Sequence, residues 1–234
     1  MKKLYKVLIV VALTIFASCT TSTDDDGDDF DAAKVCPLSG RGTFIDDRDG
    51  QVYKYTTIGN QVWMAENLKY DAEYSVCVDS VKDDRDSWNV VWIRNSCDIF
   101  GRYYSLQKDG DYFEDRNEKL IEKLCPNGWH LPTVEEWRIL INVVDSENYR
   151  QASIILREPE YWEFFEQGTD DCGFSAYPAG AFMGGSLGLS YFETDAIFGT
   201  SSVDESNRIQ SVKIAKEFTV FNNLPKMSIR CVKD

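Results

Sequence analysis

The chain has one histidine, His130, in 234 residues. That scarcity excludes histidine-rich metal centres. No two cysteines stand in the C-x-x-C spacing that a zinc site favours. Basic residues are few as well: 25 Lys and Arg face 39 Asp and Glu, for a net charge of −14. Nucleic-acid binding needs the opposite, a basic footprint. The apolar run from Val7 to Ala17 has 11 residues, short of the roughly 18 that a spanning helix requires. The chain also lacks a Gly-x-Ser-x-Gly elbow, a phosphate loop, a His-Glu-x-x-His pair and the Asp/Asn spacing of a calcium loop. Carboxylates are so abundant that any two can be imagined as a glycosidase pair, and their number empties that signal.

What is present at the start is ordered into three zones. Lys2, Lys3 and Lys6 precede the apolar run, and the small residues Ala17 and Ser18 precede Cys19. Positive, apolar, small is the layout of a secretory signal peptide, expected over residues 1–18. Phe16-Ala17-Ser18-Cys19 resembles a bacterial lipobox, with Phe16 where Leu is more usual. The resemblance implies cleavage before Cys19, lipidation of its thiol, and a membrane partnership through the acyl chains. Thr20 to Asp31 is Ser/Thr followed by Asp24-Asp25-Asp26-Gly27-Asp28-Asp29. Such a segment cannot bury much apolar surface, and residues 19–35 read as a disordered acidic tether. It also resembles the surface-export signals of one class of bacterial lipoproteins. The expected location is therefore the outer membrane, lipid-anchored and facing the cell exterior.

Removing the three lysines of the signal takes the net charge from −14 to −17. Residues 36–234 are expected to form one domain with a proper core. With Cys19 assigned to lipid, six cysteines remain: Cys36, Cys77, Cys97, Cys125, Cys172 and Cys231. An even count in an exported chain favours disulfides, and six cysteines allow 15 pairings that sequence alone does not choose among.

Along the chain, Asp49-Gly50 and Gly59-Asn60 separate three β-prone runs between residues 43 and 68, which predicts a three-stranded meander. Residues 71–98 are polar and acidic around Cys77 and Cys97 and read as a long loop held at its base. Asp46 to Gly50 reads as a solvated turn. Asp115 to Leu124 has helical composition. Thr133-Val134-Glu135-Glu136 is a capping box, and Trp137, Leu140, Ile141 and Val144 then recur at helical spacing. Short strands are expected at 209–215, 218–221 and 228–232.

Four segments, in order, make up a recognisable set. They are Asp49 through Leu68, with Ile58-Gly59-Asn60-Gln61-Val62-Trp63-Met64 at its centre; Phe100-Gly101-Arg102-Tyr103-Tyr104; Cys125 through Trp137; and Gly173-Phe174-Ser175-Ala176-Tyr177-Pro178-Ala179-Gly180. Ser228-Ile229-Arg230-Cys231-Val232 closes the chain. Over residues 43–234 this resembles a Fibrobacter succinogenes major paralogous domain. That family is more distantly similar to the formylglycine-generating-enzyme and C-type-lectin-like group. The resemblance implies an α+β, irregular, C-type-lectin-like fold with short antiparallel strands and two or three helices, stabilised by disulfides. It also implies the pairs Cys77–Cys97, Cys125–Cys231 and Cys36–Cys172. Two places depart from the family pattern: the loop between Cys77 and Cys97, longer and more aromatic than usual, and Phe198-Gly199-Thr200-Ser201-Ser202, where a Trp-Ser-Ser motif is usual.

The chemistry expected from these residues is binding rather than catalysis. Formylglycine-generating enzymes use reactive cysteines in a C-terminal core, whereas Cys231 is more simply structural. Calcium-dependent lectins carry Glu-Pro-Asn or Gln-Pro-Asp loops, and Glu158-Pro159-Glu160 is a poor match in the wrong place. No metal or other cofactor is expected, and His130 reads as a side chain satisfying local backbone. Exposed aromatics can stack on sugar rings or anchor a protein. The candidate ligand-binding residues are Trp88, Trp92 and Trp162, with core packing as the competing and stronger reading for the group at 161–165. The expectation is thus a surface module, not an enzyme, that binds polysaccharide or protein. The alternatives are a cysteine-oxidising enzyme of the formylglycine-generating type and a structural envelope protein.

Overall fold

The computed structural model describes residues 30–78, 80–82, 90–92, 96–108, 115–162, 167–184, 188–222 and 224–234. Residues 1–29, which hold the expected signal peptide, Cys19 and most of the expected tether, and Trp88 lie outside the described residues. In chain order, helix α1 (Ala32–Val35) leads into the meander β1 (Gly42–Ile45), β2 (Val52–Ile58) and β3 (Gln61–Met64). Then come β4 (Ser75–Val76), β5 (Ser80–Lys82), β6 (Val90–Trp92), α2 (Ser96–Phe100), β7 (Tyr103–Tyr104), α3 (Glu118–Leu124) and β8 (Trp129–His130). Helices α4 (Val134–Val144) and α5 (Tyr149–Leu156) follow. Strands β9 (Ala181–Gly184), β10 (Gly188–Ser190), β11 (Ala196–Val203), β12 (Ile209–Ile214), β13 (Phe218–Asn222), β14 (Lys226–Met227) and β15 (Val232–Lys233) complete the fold.

This is a mixed α and β architecture of mostly antiparallel sheets with five short helices. One sheet runs β1-β2-β3-β15-β8, a second β10-β9-β14-β7-β4, a third β11-β12-β13, and β5 pairs with β6. The meander forms as its turn dipeptides predict, with Gly42 opposite Tyr55 and Ile58 opposite Gln61. Its two faces bury different cores. On one side, α4 lays Val134, Trp137, Leu140, Ile141 and Val144 against the sheet. Trp137 packs 4.6 Å from Trp63 and stacks 4.9 Å from Phe198. On the other side Tyr53, Met64, Leu68, Tyr104, Leu106 and Ile229 form the second core. The capping box fixes where α4 starts: Thr133 Oγ1 accepts from Glu136 N–H at 3.1 Å, and Glu136 Oε2 accepts from Thr133 N–H at 2.8 Å.

Three disulfides join Cys36 to Cys172, Cys77 to Cys97 and Cys125 to Cys231, the partners that the family resemblance implies. The Cys36–Cys172 and Cys125–Cys231 cystines are buried and supplement a core that is split among several small clusters.

The structure corrects the sequence reading at five points. Among the described residues there are five α-helices where two or three were expected; α1 and α2, at four and five residues, are too short to show a repeated apolar period. Residues 30–35, expected as tether, are part of the fold: Asp31 caps α1, and Phe30, Ala32 and Val35 pack on the main core. The segment 71–98 is held at its base by Cys77–Cys97 as expected, but it also contains paired strands, with Ser80 of β5 opposite Trp92 of β6. Residues 228–232 are not one strand: β14 ends at Met227 and β15 starts at Val232, because Arg230 between them turns into the interior. Asp46 is not solvated. Its buried carboxylate takes Arg48 Nε at 2.8 Å and Nη2 at 2.6 Å, while Arg48 Nη1 donates to the carbonyls of Lys123 and Leu124 at 2.7 and 2.9 Å. The pair thereby caps the carbonyl end of α3 from the meander turn.

Candidate ligand-binding face

Both faces of the second sheet pack against apolar clusters. Met227, Ala181 and Tyr104 are cross-strand partners and all are buried. Their neighbours point the other way, since side chains alternate along a strand. Leu189, Phe182 and Lys226 are opposite one another across β10, β9 and β14 and therefore share the second face, where Leu189 is buried and Phe182 and Lys226 are half-buried. Phe182 is only half-buried and packs with an aromatic cluster centred on Phe100.

Phe100 is the hub. Tyr161 meets it edge-on at 5.2 Å, Phe192 at 5.1 Å and Tyr177 at 5.9 Å, and Tyr161 and Tyr177 lie 5.8 Å apart. These are favourable aromatic geometries. Phe100 itself is buried, while Tyr161, Tyr177 and Phe192 are partly buried against it.

Each ring is positioned by its local chain. Phe100 ends α2, which the Cys77–Cys97 disulfide ties to the strand after β4. Asn67 Nδ2 donates to the Phe100 carbonyl at 2.8 Å, and Gly101 follows at φ +76, where a Cβ would lie 2.6 Å from the Asn67 side chain. Tyr161 is set by Glu158, whose two carboxylate oxygens accept from the Glu160 and Tyr161 N–H groups at 2.6 and 3.1 Å. Phe192 sits between Tyr191 and Glu193, both at φ +63. Left-handed conformations at two non-glycine residues cost on the order of 1 kcal/mol or more each. They persist because the backbone is pinned: Glu193 N–H donates to the Pro178 carbonyl at 2.8 Å, and Gly180 N–H to the Asp195 carbonyl at 2.9 Å. Gly180 at φ +63 permits this approach, since a Cβ there would lie 2.2 Å from the Ser190 carbonyl oxygen.

Charge around the face is sparse and partly desolvated. Burial, then the nearby Glu160 and Asp170, raises the Glu158 carboxyl pKa. Burial raises the Asp170 carboxyl too, against hydrogen bonds from Ser175. Burial also raises the Tyr177 phenol, with Glu158 adding to it. Lys226 goes the other way, its ammonium pKa lowered by burial.

The three tryptophans singled out from the sequence do not meet here. Trp162 is 5% exposed and packs in the main core, with the Arg157 guanidinium 4.8 Å over its ring. It is a core residue, and the expectation that it faces a ligand is corrected. Trp88 lies outside the described residues. The Trp92 backbone is in β6, and β5 of that hairpin runs beside β10 at the edge of the second sheet. Sequence reading missed Phe100, Tyr177, Phe182 and Phe192 as a group. Phe100 and Tyr177 do stand in the recognisable segments, but nothing there signals that segments so far apart converge.

His130 is more than a backbone satisfier. Its Nδ1 lies 2.7 Å from Asp234 Oδ1 and its Nε2 2.8 Å from Glu136 Oε1. Burial works to lower its pKa, but the hydrogen bonds to Glu136 and Asp234 outweigh that and raise it above the ordinary 6.5. The group binds its proton more tightly when folded. Its stabilisation is therefore fully present below the unfolded value and is lost as pH rises through the raised folded value. Because this is the chain's single histidine, a one-dimensional NMR titration reads it directly. The expected midpoint lies above 6.5 and falls in Glu136→Gln; a midpoint at or below that value in the wild type refutes the double ion pair.

Among the described residues, no group of three or more His, Cys, Asp or Glu side chains is placed to hold a metal ion. No described helix is long and apolar enough to cross a membrane. The Fibrobacter succinogenes major domain model matches residues 56–233 of the chain. No curated protein and no solved structure matches.

Proposed function

The chain belongs to the Fibrobacter succinogenes major domain family, and from that premise we propose that it is a surface-anchored lipoprotein module that binds polysaccharide without catalysis. The observation that carries this reading is the set of partly buried rings, Tyr161, Tyr177 and Phe192, held on buried Phe100. Pre-ordered aromatic rings offer stacking area to a sugar at low entropic cost. In this reading Cys19 carries the lipid, the acidic tether spaces the domain from an outer membrane, and the scaffold is a C-type-lectin-like one. Cys125–Cys231 pairing in the interior counts against the cysteine-oxidising alternative, which requires a reactive thiol at Cys231.

The test is polymer binding by the detergent-solubilised full chain. Tyr177→Ala and Phe192→Ala are each expected to weaken retention on a bound polysaccharide by about tenfold, with thermal stability only modestly changed. Cys19→Ala is expected to release the chain from membranes without altering binding. Unchanged retention in both aromatic variants, or unchanged fractionation of Cys19→Ala, counts against the respective half of the proposal.

A further inference from the structure

The three cystines differ in what a reductant can reach. Cys36, Cys172, Cys125 and Cys231 are 1, 0, 7 and 0% exposed. Cys77 is exposed and Cys97 half-buried. Thiol–disulfide exchange begins with a thiolate striking one sulfur, so access decides which bridge reacts, and exposed cystines are as a class more readily reduced than buried structural ones. The buried bridges react only when the fold opens around them. The exposed bridge also has a different mechanical task. It ties α2 to the residue after β4, beside the hydrogen bond from Ser96 Oγ to the Val78 carbonyl. The far end of α2 is held separately, by Asn67 Nδ2 on the Phe100 carbonyl at 2.8 Å. A helix of five residues forms too few internal hydrogen bonds to stay ordered unaided, so α2 depends on these ties. Phe100, its last residue, is the ring on which Tyr161, Tyr177 and Phe192 pack.

We propose that Cys77–Cys97 is a redox switch: a dithiol reductant opens it in the folded chain, and its opening loosens α2 under Phe100 while the other two bridges stay closed. One thiolate of the dithiol attacks Cys77 Sγ. The bond between Cys77 and Cys97 breaks, and Cys97 leaves as a thiolate that takes up a proton. The second thiol of the reductant then attacks the mixed disulfide, closes its own S–S bond and releases Cys77 as a thiol. Two electrons and two protons pass from the dithiol to the cystine, and the dithiol is oxidised to its disulfide. The domain keeps its architecture because the closures over 136 and 106 residues remain. Each of them lies inside one of the two larger cores, Cys36 and Cys172 with Trp63 and Trp137, Cys125 and Cys231 with Met64 and Leu68. Val78 and Phe100 belong to a smaller cluster, and there the covalent link between their two segments is lost. The inference does not depend on the polysaccharide reading.

The experiment treats the detergent-solubilised full chain with graded dithiothreitol at neutral pH without denaturant. Iodoacetamide then blocks the free thiols, and peptide mass spectrometry maps them. Cys77 and Cys97 are expected to be alkylated at least about tenfold faster than the other four paired cysteines, whose sulfurs wait for the fold to open. Hydrogen exchange of the chain reduced at this bridge alone should rise by about tenfold or more at the amides of residues 97–101 and stay unchanged in α4. Reoxidation should restore the slow exchange. Cys77→Ser/Cys97→Ser should exchange like the reduced wild type and not respond to dithiothreitol. Reduction of all three bridges at one rate, or of Cys77–Cys97 last, overturns the switch. So does unchanged exchange at residues 97–101 once Cys77 and Cys97 are both alkylated. Faster exchange in α4 along with α2 also overturns it, because the bridge then holds the whole domain rather than α2.

Discussion

Arg230→Met is expected to cost about 3 kcal/mol of folding stability, with loss of the single unfolding transition at physiological temperature if the wild type is marginal. Arg230 is fully buried and joins parts of the chain that are otherwise far apart. Its Nε and Nη2 donate to Asn67 Oδ1 at 3.2 and 2.6 Å, Nη1 donates to the Phe174 carbonyl, and Nη2 also donates to the Ser175 carbonyl at 3.0 Å. The guanidinium lies 4.5 Å from the Phe174 ring centre and 5.4 Å from that of Phe198. Burial lowers its pKa only to about 10, so it is charged at neutral pH. Methionine approximates the volume but leaves two carbonyls and the Asn67 oxygen without these donors, at about 1–3 kcal/mol for each group that finds no other partner. Removing the charge also removes its desolvation cost, which is why the net figure stays below the sum. Arg230→Lys should fall between, because an ammonium cannot reproduce the fork. Urea unfolding of Arg230→Met, Asn67→Ala and the double variant checks this: the double should cost less than the two singles together. A single Arg230→Met loss within about 0.5 kcal/mol, the range of ordinary surface substitutions, refutes the role.

The parts of this fold that were legible from sequence are those specified locally. Asp49-Gly50 and Gly59-Asn60 terminate strands by their own backbone preferences, and Thr133 with Glu136 starts α4 by a contact three residues long. Long-range convergence was not legible. Arg230 reads as a strand residue because nothing nearby shows that Asn67, 163 residues away, is its partner. Trp162 stands in the aromatic run at 161–165, which suits a core or a ligand surface alike, and only the fold shows buried Arg157 covering its ring. Asp46 looked solvated because its partner Arg48 was counted as one more charge in a polar turn. The aromatic cluster was invisible because residues 100, 161, 177 and 192 belong to separate local structures. Only the docking of the 178–180 backbone on 190–195 and the cystine at α2 bring them together.

The long-range disulfides should dominate stability over the local one. Cys36–Cys172 and Cys125–Cys231 close sequence separations of 136 and 106 residues, against 20 for Cys77–Cys97. In the chain-entropy picture a loop of about 100 residues contributes roughly 4–5 kcal/mol and one of about 20 roughly 3 kcal/mol, with measured losses commonly 2–5 kcal/mol. Cys125 follows α3 directly, and the Cys231 carbonyl accepts from Met64 N–H at 3.0 Å in the first sheet. Its bridge thus fastens α3 to the second core, where Arg48 is the other fastener. Cys125→Ala/Cys231→Ala is expected to lose about 4 kcal/mol and to unfold α3 first. Cys77→Ala/Cys97→Ala should lose less globally, yet loosen α2 and Phe100, so its larger effect falls on polymer binding. Urea unfolding of each double variant, with hydrogen exchange resolving α2 from α3, separates the two outcomes. Greater global destabilisation from the 77/97 pair than from the 125/231 pair contradicts this ranking. So does protection at α3 that survives loss of Cys125–Cys231.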